Sequence, residues 1–261
     1  MQDFANADLI VIEGSNMAEA HPVAFQWVTE ARKRGAQVIH IDPRFTRTSA
    51  NADRHIPIRA GTDIVLLGGV IRHVLENELY FAEYVRAYTN ASTIVSEQYA
   101  DPEDLDGLFS GYDPESGTYD NSFWSYAGDE DSIARGLPER DETLQHPRSV
   151  FQLLKRHYAR YTPQMVQDTC GIAPEDFEHL ATAIARNSGR ERTTMFAYAL
   201  GWTQHQGGAQ MIRTSGILQL LMGNMGRPGG GIMALRGHAT IQGSTDIPTL
   251  YHILPGYLPM P

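Results

Sequence analysis

Residues 9–12 form an unbroken apolar run, Leu-Ile-Val-Ile, of the kind that a strand covered on both faces requires. A glycine turn at Gly14 follows. Helical spacing then resumes from about His21 to Arg34, with Val23, Trp27, Val28 and Ala31 predicted as the apolar face and Gly35 beyond the last turn. Residues 38–41 read as a second strand ending on Asp42, and residues 56–58 as a short third strand leading to Gly61. Asp63 then opens a helix carrying Ile64, Leu67, Val70, Ile71, Val74 and Leu75 at helical intervals. Strands alternating with helices predict βαβ units: an α/β fold, a three-layer αβα sandwich with a mainly parallel, Rossmann-like sheet.

The pattern lapses over about residues 90–148. Acidic side chains dominate from Asp101 to Glu142 and face only Arg135 and Arg140, with Gly, Ser, Tyr and Pro between them. Little regular structure is expected there, and an acidic surface excursion of this kind fits an interaction loop. Helices resume at residues 149–158, 163–169 (Thr162 as cap, Pro163 in the first turn) and 174–187. Residues 193–200 read as a fourth buried strand with residues 201–205 as its exit loop. A long helix follows over about residues 208–222, then a glycine-rich turn at residues 223–231 and a short strand at 232–235 that delivers Arg236, Gly237 and His238. The expected organisation is one dinucleotide-binding-like domain over residues 1–236 and a tail over 237–261 leading into a further domain. The chain enters a core strand almost at once and its last residues close no element, so both ends read as cut from something longer.

Composition narrows the chemistry. The 42% hydrophobic content suits a globular protein, and a formal net charge of −10 argues against nucleic acid or an anionic membrane as partner. No stretch is long and apolar enough to span a bilayer. The single cysteine, Cys170, excludes an internal disulfide and a cysteine-held cluster within this chain; it reads as a small buried residue at a helix end.

Three turns fall where a parallel strand would end and a helix begin, the rim at which open α/β sheets bind dinucleotide-type ligands. Gly14, Ser15 and Asn16 offer backbone N–H groups to an anion. Asp42 can accept hydrogen bonds from a ribose, with Arg44 and Arg47 supplying charge. Asp63, after Gly61 and Thr62, could accept both N–H donors of a guanine edge. Each alone also reads as a tight turn or a helix cap; together they read as a site. Arg236, after a glycine-rich turn and a strand, could bind a small carboxylate bidentately or lie on the surface. No HExxH-type histidine spacing and no Ser–His–Asp order stands out.

Taken in order, residues 14–22, 42–48 with Ala52 and Asp53, 61–63, 198–205, 221–231 and 235–243 resemble the cofactor-facing segments of the molybdopterin-guanine-dinucleotide oxidoreductases. The closest likeness is to the large catalytic subunits of respiratory formate dehydrogenases, carried especially by residues 143–148 and 198–205. The resemblance implies oxidation of formate to CO2 at molybdenum or tungsten held by the pterin cofactor. It implies Gly14, Ser15, Asn16 and Glu19 at one pyrophosphate region, and Asp42, Arg44, Phe45 and Thr46 at ribose and phosphate. Gly61, Thr62 and Asp63 would hold the guanine end, Leu200, Gly201 and Gln204 would approach from strand four, and Arg236 would fix formate beside His238. It also implies an iron–sulfur beta subunit and a membrane cytochrome subunit as partners, a 4Fe-4S cluster in the parent, and periplasmic placement.

The family's selenocysteine or cysteine metal ligand and its four-cysteine motif have no counterpart in these residues. The polypeptide alone is therefore expected neither to hold the metal nor to turn over formate. Two other readings stay open: another member of the same family, such as a periplasmic nitrate reductase, and a non-catalytic domain that binds a nucleotide or docks a partner through its acidic excursion.

Overall fold

The computed structural model describes residues 1–235 and the backbone of residues 253–254 and 258–259. In chain order the elements are β1 (Leu9–Glu13), α1 (Met17–Ala20), α2 (Pro22–Lys33), β2 (Gln37–Ile41), α3 (Arg47–Ala50), β3 (Arg54–Ile56), α4 (Asp63–Glu76) and α5 (Ala82–Tyr88). The small strands β4 (Tyr112–Asp113) and β5 (Thr118–Tyr119) and the short α6 (Glu130–Ala134) follow. Then come α7 (Val150–Tyr158), α8 (Pro163–Cys170), α9 (Pro174–Arg186), β6 (Thr194–Tyr198), α10 (Leu200–Thr203), α11 (Gly208–Leu221) and β7 (Gly231–Ala234). A two-residue pair, Ile253–Leu254 with Leu258–Pro259, is antiparallel.

The chain divides into two compact units, Met1–Ile64 with Arg192–Gly216 and Asn224–Pro261, and Val65–Glu191 with Ile217–Gly223. The first unit holds a five-stranded sheet in the order β3-β2-β1-β6-β7, flanked by helices, with all four strand pairings parallel. This is the α/β class expected from the alternation of strands and helices. Every residue of β1 and of β6 is buried, as strands sealed on both faces must be. On one face Ile10, Ile12, Val38, Met195 and Ala197 pack with Phe4, Ala24, Val28 and Ala31.

Four local expectations need correction. The buried stripe of α2 is Ala24, Val28 and Ala31, at i, i+4 and i+7, whereas Val23 is 77% exposed. The third strand lies at Arg54–Ile56, two residues earlier than predicted, because its register to β2 is set by Ile39↔Arg54 and Ile41↔Ile56. Residues 200–203 form a helical turn instead of continuing a strand into an open loop. The last strand of the five-stranded sheet is Gly231–Ala234, one residue earlier than read from the sequence.

The second unit is helical. Val166 and Cys170 of α8 and Phe177, Leu180 and Ile184 of α9 are buried, with Gly171 in the left-handed conformation ending α8. Two glycines of α4 explain themselves by close packing. A Cβ at Gly69 would come within 2.5 Å of Val166, and one at Gly68 within 2.7 Å of the Tyr161 ring.

The acidic excursion belongs to this second unit and is more ordered than its composition suggests. Its acids act as turn-makers: Asp113, Asp120 and Asp129 accept backbone N–H bonds from Glu115, Ser122 and Ser132. Asp141 accepts from the N–H groups of Thr143, Gln145 and His146, and its carboxyl is lowered to about 2, chiefly by the Thr143 hydroxyl and those backbone donors.

Truncating Ile10, fully buried in the centre of the sheet, should cost about 2–5 kcal/mol in Ile10→Ala. Chemical denaturation checks this, and a loss below about 1 kcal/mol would mean the strand is not the core element described.

Candidate functional site

Strand register builds the site. The pairs Ile41↔Ile56, Glu13↔Ile41, Glu13↔Tyr198 and Tyr198↔Ala234 place one row of residues across all five strands. Because every strand runs the same way, each chain segment leaves this row on the same side. Gly14–Asn16, Asp42–Thr46, Gly61–Asp63 and Leu200–Gln204 thus follow the carboxyl ends of β1, β2, β3 and β6. The chain leaves β1 toward β2 on one side and β6 toward β7 on the other, so the sheet reverses direction between β1 and β6. That switch point is where ligands of open α/β sheets bind.

At the switch point two glycine turns touch. Gly14, with φ 63°, accepts a hydrogen bond on its carbonyl from the Gly201 N–H at 3.0 Å. A Cβ on Gly201 would lie 2.5 Å from the Gly14 Cα, so no other residue fits there without parting the two backbones. Gly61, with φ 84°, faces the His205 ring, which a Cβ there would meet at 3.3 Å.

A chain of side-chain bonds fastens the first two turns together. Buried His40 has Nε2 3.1 Å from the Ser15 carbonyl, which can only accept, so that nitrogen carries the proton. Its Nδ1 then accepts from the Ser49 hydroxyl at 2.8 Å, and Ser49 accepts in turn from the Thr46 N–H at 2.8 Å. Burial lowers the His40 pKa and keeps the ring neutral, as this bonding needs. Thr48 adds a second tie: its hydroxyl donates to Asn16 Oδ1 at 2.9 Å and accepts from the Ala18 N–H at 3.0 Å. Asn16 donates on to Glu19, which also pairs with Arg47 at 3.4 Å.

The other predicted residues take distinct places. Asp42 folds its own turn by accepting the Arg44 N–H at 2.9 Å, and its carbonyl faces His55 Nε2 at 3.0 Å. Phe45 is 70% exposed, with its ring edge-on to His55. Thr46 caps α3. The Thr62 hydroxyl donates to the Arg59 carbonyl at 2.7 Å. Leu200, 63% exposed, and Gln204, also exposed, follow the carboxyl end of β6 on the same rim. Arg236 and His238 lie outside the described residues.

Two residues not among the predicted site residues, Trp202 and Glu13, sit beside the predicted Asp63. Asp63 is buried at the start of α4 and accepts the Trp202 indole N–H at 3.2 Å, while Trp202 stacks on Tyr198 with ring centres 5.0 Å apart. Glu13, the last residue of β1, is wholly buried beside Asp63, and neither of its oxygens meets a donor in hydrogen-bond geometry. Burial drives its carboxyl well above the ordinary range, and the Asp63 charge pushes the same way. Its surroundings thus favour the protonated form over the charged one. Its signal was present in the sequence, as an acid closing an otherwise apolar strand.

The segments at the ends of β1 and β6 also carry buried polar atoms without partners. Both Glu13 oxygens, Ser15 Oγ and His205 Nδ1 are sealed from solvent and unpaired among the described residues. Such groups in a folded protein call for an explanation, a bound ligand being one. Among the described residues, no cluster of three or more His, Cys, Asp or Glu side chains could hold a metal, and no helix is long and apolar enough to cross a membrane.

The family model for molybdopterin oxidoreductases matches residues 1–254. The formate dehydrogenase-O major subunit of Escherichia coli (strain K12) is 53% identical over 260 residues, covering 99% of this chain and 25% of that protein. Formate dehydrogenase 2 subunit alpha (cytochrome c-553) of Nitratidesulfovibrio vulgaris is 49% identical, covering 99% and 25%. The chain thus spans about a quarter of the length of these relatives. Among solved structures, the acetylene hydratase from Pelobacter acetylenicus superposes with a TM-score of 0.55 at 20% identity, over 84% of this chain and 22% of that one, a likeness of fold.

A proton held by Glu13 makes stability depend on pH. The native carboxyl keeps its proton above the ordinary value of 4.5, where the unfolded chain loses it, so this contribution is full at low pH and is lost as pH rises through the raised value. Glu13→Gln should remove that decline, flattening Tm against pH above the ordinary carboxyl value of 4.5. Parallel curves for the two proteins would refute the assignment.

Proposed function

The chain belongs to the molybdopterin oxidoreductase family, and on that premise we propose that its carboxyl rim holds the guanosine end of a molybdopterin guanine dinucleotide in the catalytic subunit of a formate dehydrogenase. The observation that carries the reading is that buried polar atoms without partners, on Glu13, Ser15 and His205, lie at or just after the carboxyl ends of β1 and β6, the two strands of the switch point. The donor set fits the group. Gly14–Asn16 present backbone and hydroxyl donors suited to a pyrophosphate, while Asp63 is an acceptor suited to a guanine edge. The relatives named above are formate dehydrogenases, which favours this activity over nitrate reduction.

The bound cofactor would supply the metal, molybdenum or tungsten, at which formate gives up two electrons and a proton to become CO2. The chain's own residues act as holders. His40, Ser49 and Thr48 lock the turns at Ser15 and Asn16 in place, with Glu19 and Arg47 on the outer side. Trp202 orients the Asp63 carboxylate from one side through its N–H. Burial of Glu13 behind that carboxylate disfavours a second negative charge there. Arg236, in the sequence Arg-Gly-His, is the residue proposed to bind the formate carboxylate through a two-pronged ion pair with His238 beside it. An iron–sulfur beta subunit, a membrane cytochrome subunit, a 4Fe-4S cluster elsewhere in the parent and a periplasmic location complete the proposal.

In the full-length enzyme, Asp63→Ala should lower the content of metal and of releasable guanosine monophosphate roughly tenfold, the loss of one or two charge-assisted bonds. Unchanged metal and nucleotide content would overturn the site. Arg236→Ala should instead leave that content intact and lower kcat/KM for formate by roughly a hundredfold. Unaltered kinetics would remove Arg236 from the mechanism.

A further inference from the structure

Charge in this chain is concentrated in one place. Residues 90–148 carry fourteen acidic and three basic side chains, while the remaining residues carry seventeen and eighteen. The excursion therefore accounts for the whole net negative charge of the protein. Its basic residues are turned to local duty. Arg148 donates to the carbonyls of Val95, Ser96 and Tyr99. Arg140 bonds Ser92 and the Arg86 carbonyl, and Arg135 pairs with Asp131. Asp104, Asp106, Asp113, Glu115 and Asp120, which precede these arginines in the excursion, are exposed.

Among these charges stands a patch of exposed aromatic rings. Phe109, Tyr112, Tyr119 and Trp124 are 56%, 39%, 37% and 48% exposed, and their ring centres lie 5.2–6.1 Å apart in a connected cluster. The Trp124 N–H is already bonded to the Ser110 carbonyl at 2.8 Å, so what the indole presents outward is apolar. Trp124 also forms one wall of a groove of about 480 Å³, continued by Val95, Tyr126, Leu153, Leu154 and Tyr158. At the lip Asp101 and Glu103 are paired with Arg156 and Arg160. Patch and groove meet at Trp124, with exposed acids beside the patch and acids paired to arginines beside the groove. Aromatic faces beside carboxylates bind guanidinium and ammonium groups well, by cation–π contact and ion pairing together. A soluble protein rarely leaves so many large rings together in water unless a partner covers them.

We propose that this face docks a basic segment of another protein, with arginine or lysine side chains over the rings and at least one apolar side chain seated in the groove beside Trp124. A second copy of this chain does not suit the face, because self-association would press two strongly acidic surfaces together. The inference is independent of the cofactor reading, since it uses none of the rim residues.

The test uses this chain and a fluorescein-labelled peptide of about ten residues that alternates arginine with leucine, followed by fluorescence anisotropy. Controls are an arginine–glycine peptide of equal charge and a glutamate–leucine peptide. Saturable binding of the first peptide is expected, weakening with added salt, at least about tenfold tighter than either control. Phe109→Ala with Trp124→Ala, which leaves the net charge unchanged, should weaken it at least about tenfold. Asp104→Asn with Asp106→Asn, at solvent-exposed positions, should weaken it as well. Hydrogen exchange should show peptide protection confined to residues 95–126 and 150–158. Equal binding of the arginine–glycine peptide, affinity indifferent to the ring substitutions in a variant with unchanged circular dichroism, or protection elsewhere would overturn the proposal. Concentration-dependent dimerisation in sedimentation, abolished by the ring substitutions, would assign the face to a second copy and overturn it equally.

Discussion

Parallel pairing of β1 on both sides, to β2 and to β6, is the constraint on which the rest of the rim depends. It aligns Glu13 with Ile41 and with Tyr198, so that loops separated by more than a hundred residues in sequence leave the sheet from one line. A one-residue slip of either neighbour would turn its side chains to the opposite face and unseat the row. The seal on both faces of β1 and β6 prevents that slip, since every alternative register would bury or expose the wrong residues. The same seal disfavours the charged form of the acid at the end of β1.

Polar residues in the rim complete what the sheet begins. His40 lies on a buried strand, yet its two ring nitrogens join the turn after β1 to the turn after β2. Thr48 repeats the connection one step farther out. These are side chains that fix backbone and leave the outward faces of the loops to a ligand. The glycine pair at 14 and 201 does the same by close approach, bringing the turns after β1 and β6 together where a side chain would hold them apart. Rigid turns with donors and acceptors already aimed lower the ordering cost of binding any long, flexible ligand.

The second unit follows different rules. Its helices bury an ordinary apolar core, but the excursion sets carboxylates to organise turns, so that much of its acidity is structural as well as electrostatic. A composition that reads as disorder thus folds into short hairpins and helical turns held by side chain–backbone bonds. Its aromatic rings have no core to enter and remain at the surface beside the charge.

Periodicity and turn chemistry in the sequence alone determined the class of fold, the order of the main strands and helices, and the positions of the Gly14, Asp42 and Gly61 turns. These are local properties, carried by apolar runs, helical spacing and residues that tolerate unusual backbone angles. The ordered family resemblance likewise rested on residues legible one segment at a time. Tertiary structure decided the rest. The exposure of Val23, the short third strand at Arg54–Ile56 and the helical turn at Leu200–Thr203 follow from register and packing between distant segments, which no local window contains. So do the meeting of Glu13, Asp63 and Trp202 and the bonding role of His40. An acid, an indole and an imidazole are ordinary residues in sequence. They gain their chemistry here from burial and from neighbours contributed by strands and loops far along the chain.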